Sequence, residues 1–293
     1  MASKNGSPEN RKENGRVREW ITQEDPVTIA THMRVDADAA FSAALLHILR
    51  PHANVVFVRA DAIIIADDHI AVDLSEGPRS VKGLKVGSAF GLLVNVMRDI
   101  DRPVHDALRS WTAQLNLTDS GKRCHDKVTL AELVNCWRSL RLDDMQIVEK
   151  AEELLKGKIA AHKRHISHRQ AADEVQIDRG VAIVKPGVHV KAVDLFRLGA
   201  LAVVRESKIG QCVNLSREAM QKGLSLNELS GQLPDNWFIH PDGFLACYGS
   251  VKAPKNPRDS GMTMEGLTTI VQTWLANRVR AKGPAPPRAT GKV

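Results

Sequence analysis

The sequence predicts an α/β protein with a parallel-sheet N-terminal domain and a smaller α+β C-terminal domain. Three observations carry this. Over residues 27–97, short β-branched runs alternate with helical patterns; residues 103–160 keep a helical spacing; after residue 175, short strand-like runs return before one closing helix. A chain of 293 residues has room for two modest domains, each with its own core. The predicted division is a disordered tail over 1–20, an α/β domain over 21–165, an α+β domain over 175–280 and a disordered basic tail over 281–293.

Val27–Thr31 (VTIAT) is apolar and β-branched and is expected to be a strand. Ala39–Leu49 has helical apolar spacing behind Asp38, which suits an N-cap. Val55–Arg59 and Ile70–Leu74 are the next expected strands, the latter running into the turn signal Ser-Glu-Gly-Pro. Gly87–Met97 reads as a helix with Ser88 near its start; Gly87 and Gly91 are a packing signal and no nucleotide fingerprint. In the helical stretch, Leu130, Leu133, Val134 and Trp137 form one stripe and Ile147, Val148, Ala151 and Leu154 another. Val181–Val184, Leu201–Arg205, Gln211–Leu215 and Trp237–His240 are expected strands, and Met264–Val279 the last helix.

Composition excludes several classes. Hydrophobic residues make up 43% and charged residues 26%, a globular balance. No apolar run approaches the roughly 18 residues of a membrane span, so no membrane partner is expected. Residues 1–18 lack an apolar segment and carry Glu9 and Glu13, unlike a secretory or transit peptide. Cys124, Cys136, Cys212 and Cys247 form no CxxC pair, which argues against a zinc ribbon and fits the cytoplasm or another reducing intracellular compartment. The net charge of +7 resides in residues 1–20 and 278–293, leaving the middle neutral. Such tails add salt-sensitive affinity for phosphate or are simply solvated ends. One tyrosine and 4% aromatic residues give little for base stacking.

The chemistry concentrates in Thr31-His32-Met33-Arg34-Val35-Asp36-Ala37-Asp38, between a strand and a helix. One imidazole and two carboxylates suit a hard divalent ion, manganese or magnesium. Asp73 ends another strand and so falls on the same rim of a parallel sheet. Asp36, Asp38 and Asp73 equally suit helix caps, turn caps or solvated loops. His162, His165 and His168 sit among cations, as a phosphate-binding face or a solvated helix; Lys252, Lys255 and Arg258 form a basic loop that could grip a phosphodiester or be a surface turn. Ser88 suits phosphate binding at a helix start or a plain N-cap.

The pattern H-x3-D-x-D followed by a helix beginning D-A-x-x-S-A resembles motif I of the DHH phosphoesterase superfamily. Asp73 in HIAVDL resembles its motif II and Asp119 in LTDSG its motif IV. FIHPDGFLACYGS (residues 238–250) with MTMEGLTTIVQTWL (262–275) is similar to the end of the melanocyte-proliferating-gene exonuclease family, a branch of that superfamily. The resemblance implies a metal-dependent phosphoesterase or exonuclease-like hydrolase acting on a phosphodiester, a small nucleotide or nucleic acid. It places Asp36, Asp38 and Asp73 in catalysis, His32, Asp36, Asp38, Asp73 and Asp119 on metal, and His240 and Gly243 on the substrate side; Lys82, Ser88 and Lys252 join that side on their own chemistry. A homo-oligomer is among the expected assemblies.

The chain departs from the pattern in one respect that matters. The stretch Ser75-Glu76-Gly77-Pro78-Arg79-Ser80-Val81-Lys82-Gly83 contains no histidine where the family has its Asp-His-His motif. By the family pattern, His32, Asp36 and Asp73 complete a first ion site, whereas the second, on Asp38, Asp73 and Asp119, lacks its imidazole. That implies a weaker or single-ion site with Lys82 near the substrate phosphate, or a degenerate relative that binds nucleic acid or a protein. Motif I also follows the general superfamily spacing and not that of the narrower branch.

Overall fold

The computed structural model describes residues 8–23, 27–74, 79–83, 87–122, 124 and 128–281. The chain divides into two compact units, Met1–Arg164 and His165–Val293.

The first unit begins with α1 (Pro8–Thr22) and β1 (Thr28–His32), then α2 (Ala37–Leu49), β2 (Asn54–Val58), β3 (His69–Val72) and β4 (Ser80–Val81). Helices α3 (Ala89–Ile100), α4 (Arg102–Asp119) and α5 (Leu130–Ser139) follow, and then α6 (Asp144–Asp173), whose last residues belong to the second unit. The sheet order is β2-β1-β3-β4, and every pair is parallel. Ile29 on the central β1 faces Val55 on one side and Ile70 on the other. A strand buried on both faces needs such a near-continuous apolar run. The core gathers around Phe41, whose ring meets Phe90 and Trp111 edge-on.

Residues 1–20 are not a disordered tail throughout. Pro8–Thr22 is helical, and Val17, Trp20 and Ile21 pack into the core; residues 1–7 lie outside the described residues. Their i, i+3, i+4 spacing is an apolar stripe that the polar average of the segment conceals. Replacing Trp20, 9% exposed, with Ala is expected to cost about 3 kcal/mol in a urea unfolding measurement. A disordered tail would give no change.

Other elements shift for local reasons. Residues 103–160 are broken between α4 and α5 and between α5 and α6. Asp36, not Asp38, caps α2, its side chain accepting from Ala39 N at 3.0 Å. Leu154 is exposed, and Leu155 takes the buried position with Ile147, Val148 and Ala151.

The second unit contains β5 (Ile177–Asp178), β6 (Val181–Val184), α7 (Ala192–Arg197), β7 (Ala202–Ser207) and β8 (Gly210–Leu215). Then come α8 (Arg217–Gln221), β9 (Phe238–Ile239), β10 (Leu245–Tyr248) and α9 (Met264–Ala281). The sheet order is β5-β6-β7-β8-β10-β9, with only β6–β7 parallel, so this unit is α+β. Val204, Val213 and Ala246 share one face of the sheet and pack with Leu267, Val271 and Trp274 of α9. The predicted strand Trp237–His240 shortens to two residues, because Trp237 turns into this core and its indole N–H donates to Ser260 O. The predicted basic tail beyond Ala281 lies outside the described residues. Among the described residues, no helix is long and apolar enough to cross a membrane.

Candidate metal centre

His32 is the last residue of β1, and Asp73 follows β3, its parallel neighbour. Both lie at the carboxyl ends of adjacent strands, where open α/β sheets present ligand sites. His32 Nε2 is 3.4 Å from Asp73 Oδ2 and 4.0 Å from Asp36 Oδ1. One ligand atom from each of His32, Asp36 and Asp73 lies within 4.8 Å of the others. His32 and Asp73 are largely covered, while the Asp36 side chain is 58% exposed, so the trio opens toward solvent on one side.

The backbone is built to hold this trio. Asp73 has φ +52° and Arg34 φ +56°, left-handed values that few non-glycine residues adopt. The Asp73 N–H donates to Val81 O of β4 at 3.0 Å. The Arg34 and Val35 N–H groups donate to the two oxygens of Asp144, at 2.8 and 3.0 Å, and Arg138 donates to Val35 O. Asp144 and Arg138 thus fix the loop that presents His32 and Asp36. Sequence reasoning missed both, because partners more than a hundred residues away leave no local signal.

Asp38 and Ser88 serve α3. Asp38 is buried; Ala89 N donates to its Oδ2 at 2.7 Å and Phe90 N to its Oδ1 at 2.9 Å, with Ser42 Oγ donating at 3.3 Å. Ser88, fully buried, caps the same helix: its Oγ accepts from Gly91 N at 2.9 Å and donates to Asn116 Oδ1 at 2.5 Å. Three of the four unpaired N–H groups that start any α-helix are thereby satisfied. Ser88 thus acts as the helix cap that the sequence offered as its plainer role, buried and with one hydrogen bond donated and one accepted. Gly91 keeps that space clear, as a Cβ would lie 2.4 Å from Asn116 Oδ1 and displace the Asn116 side chain.

Asp119, the last residue of α4, lies outside the tight trio but within its field. Its carboxyl is raised above the ordinary range by burial first, then by Asp73 and Asp36, while Lys82 opposes the shift. Asp38 is pushed up to about 8, chiefly by burial, with Asp73 and Asp119 adding to it against the Phe90 and Ala89 N–H donors. His32 is raised to about 9, most by its hydrogen bond to Asp73, against burial, and further by the Met33 carbonyl and Asp36. Crowded carboxylates that resist ionisation and an imidazole that holds its proton are the response of a negative pocket to its own field. A divalent cation would relieve both.

The donor set fits such an ion. Carboxylate oxygens with one imidazole suit manganese or magnesium. His32 Nδ1 lies 3.0 Å from Met33 O, so with Nδ1–H donated to that carbonyl it is Nε2 that would give up its proton to an ion and offer its lone pair.

The remaining expected site residues lie in the second unit. His240 is half-buried against Phe244, with its Nδ1 accepting from Asp242 N at 3.2 Å. Gly243 turns the β9–β10 connection at φ +71°, where a Cβ would strike Ser225 Oγ. Lys252 is exposed on the loop after β10.

Neither a protein-family model nor a curated sequence matches the chain. Among solved structures, the chain is similar to RecJ from Thermus thermophilus in complex with Mg2+, at 13% identity and a TM-score of 0.28, over 95% of this chain and 53% of that one. The same protein with Mn2+ is similar at 12% identity and a TM-score of 0.31, over 94% and 56%. An exopolyphosphatase-related protein from Bacteroides fragilis is similar at 11% identity and a TM-score of 0.27, over 93% and 98%. The chain thus spans about half the length of the RecJ structures.

Proposed function

We propose that this protein is a metal-dependent phosphoesterase of the DHH type, acting on a phosphodiester or small nucleotide. The observation that carries the reading is the His32–Asp36–Asp73 trio at the carboxyl ends of adjacent parallel strands, with further carboxylates in its field. His32, Asp36 and Asp73 would hold Mn2+ or Mg2+, with Asp119 beside them. When bound, such an ion lowers the pKa of a water molecule and polarises a phosphoryl oxygen. His32 is the oriented neutral donor, Asp36 the solvent-facing carboxylate, and Lys82 the cation available to a substrate phosphate. His240, Gly243 and Lys252 are proposed as substrate-binding residues of the second unit.

A second reading has its own support. Both oxygens of Asp38 are taken by α3, and Lys82 acts on Asp119. Those features favour one ion over two, and suit a relative that binds nucleic acid or a protein without turnover.

Manganese titration followed by calorimetry tests both. About one ion per chain is expected. Because His32 holds its proton up to about pH 9, binding displaces that proton, and apparent affinity should rise about tenfold per pH unit below 9 before levelling. Hydrolysis of bis-p-nitrophenyl phosphate that needs manganese supports the enzyme; binding without hydrolysis supports the second reading. No manganese above background would sink the enzyme and leave only the second reading.

A further inference from the structure

Two of the four cysteines meet in the second unit. Cys212 on β8 and Cys247 on β10 are directly opposite in an antiparallel pair. Their relation follows from the hydrogen-bond phase. Leu215 N donates to Phe244 O at 2.9 Å, and these residues are opposite one another one step beyond Asn214 and Leu245. Opposed pairs alternate between hydrogen-bonded and non-hydrogen-bonded along such a ladder. Leu215/Phe244 is therefore a hydrogen-bonded pair, Val213/Ala246 is another, and Cys212/Cys247 is a non-hydrogen-bonded one. The neighbouring strand agrees. His240 N donates to Leu245 O, which makes Cys247/Phe238 a hydrogen-bonded pair and turns the backbone of Cys247 away from Cys212.

Non-hydrogen-bonded pairs bring the Cα atoms to about 4.5 Å, with side chains on the same face and closer than at the alternate sites. A disulfide needs about 4.4 to 6.8 Å between Cα atoms, so the pair sits at the short limit of what a bridge accepts. The shared face lies opposite Val213 and Ala246, which pack with α9, so the thiols stand outside that core. Both are free and only partly covered. Arg205 is opposite Cys212 on β7, and Asn214 Nδ2 donates to Cys212 Sγ at 3.5 Å. Arg205 acts on Cys212 and Lys255 on Cys247, each favouring the thiolate against the burial that raises both thiols.

We propose that Cys212 and Cys247 form a reversible cross-strand disulfide, a redox modification site on the face of the second sheet that points away from α9. A bridge between thiols outside the packed core is open to exchange with small thiols, which is what makes it reversible. Oxidation needs an acceptor of two electrons. With an azo oxidant such as diamide, one thiolate adds to the N=N bond and the second displaces it. The S–S bond forms, and the two thiol hydrogens and two electrons leave on the hydrazine product. With a small-molecule disulfide, the same two steps return two small thiols.

The test uses the full chain under native conditions. After diamide treatment, alkylation and non-reducing proteolysis, mass spectrometry should find the peptides holding Cys212 and Cys247 joined and two hydrogens lighter. The link should vanish with dithiothreitol, while Cys124 and Cys136 remain alkylated. In Cys212→Ser, Cys247 should stay alkylatable. If both thiols of the native protein still take the alkylating reagent after diamide, the proposal falls. It falls equally if Cys212 or Cys247 links to Cys124 or Cys136, or to a second chain.

Discussion

Asp73→Asn is expected to weaken manganese binding by more than about a hundredfold, because loss of an outer-shell partner alone costs ten- to a hundredfold and Asp73 lies in the ligand trio itself. Phosphodiester hydrolysis should fall with it, by roughly a thousandfold or more. Asn is the informative replacement. It keeps the size of Asp and tolerates the left-handed backbone at φ +52°, which Ala does not. A second readout needs no metal. Asp73 is the largest cause of the raised His32 value, so an NMR titration of the His32 ring in the metal-free variant should move from about 9 back toward 6.5. Unchanged manganese affinity in a folded Asp73→Asn protein would remove Asp73 from the site.

Asp38→Ala should act on the fold before it acts on the site. It leaves the buried N–H groups of Ala89 and Phe90 without their acceptor, at about 1–3 kcal/mol each, so a loss of about 3 kcal/mol is expected in urea unfolding. Asp38→Asn keeps one acceptor oxygen and should recover about half. The pH dependence has a definite sign. A carboxyl raised from 3.8 to about 8 favours its protonated form in the folded state, so its contribution is greatest below pH 3.8 and is lost as pH rises toward 8. Asp38→Asn should flatten the stability profile across that window. Normal stability with lost manganese binding would instead make Asp38 a ligand.

How much of this was legible in the sequence varies by residue. The strand before His32 and the strand before Asp73 were readable because β1 and β3 are short apolar runs between turn signals. Their meeting on one rim followed from the β-α-β order, since parallel neighbours share their carboxyl ends. Ser88 at a helix start was readable too, as a plain N-cap or a phosphate contact, and the structure shows the cap. The helix over Pro8–Thr22 was hidden because three apolar residues in a polar segment weigh little until a core receives them.

By itself, the sequence determined the α/β class and the residue types of the centre: one imidazole and several carboxylates at strand ends, with no histidine after Asp73. Hydrophobic periodicity and the chemistry of side chains are local properties, and they survive without a fold. Tertiary structure alone decided how those residues divide the work. It gathered His32, Asp36 and Asp73, turned Asp38 to α3, and left Asp119 and Lys82 in the surrounding field. It also recruited Asp144 and Arg138 from afar and set Cys212 against Cys247. Distance, burial and hydrogen-bond phase depend on packing between segments far apart in the chain, and no local pattern encodes them.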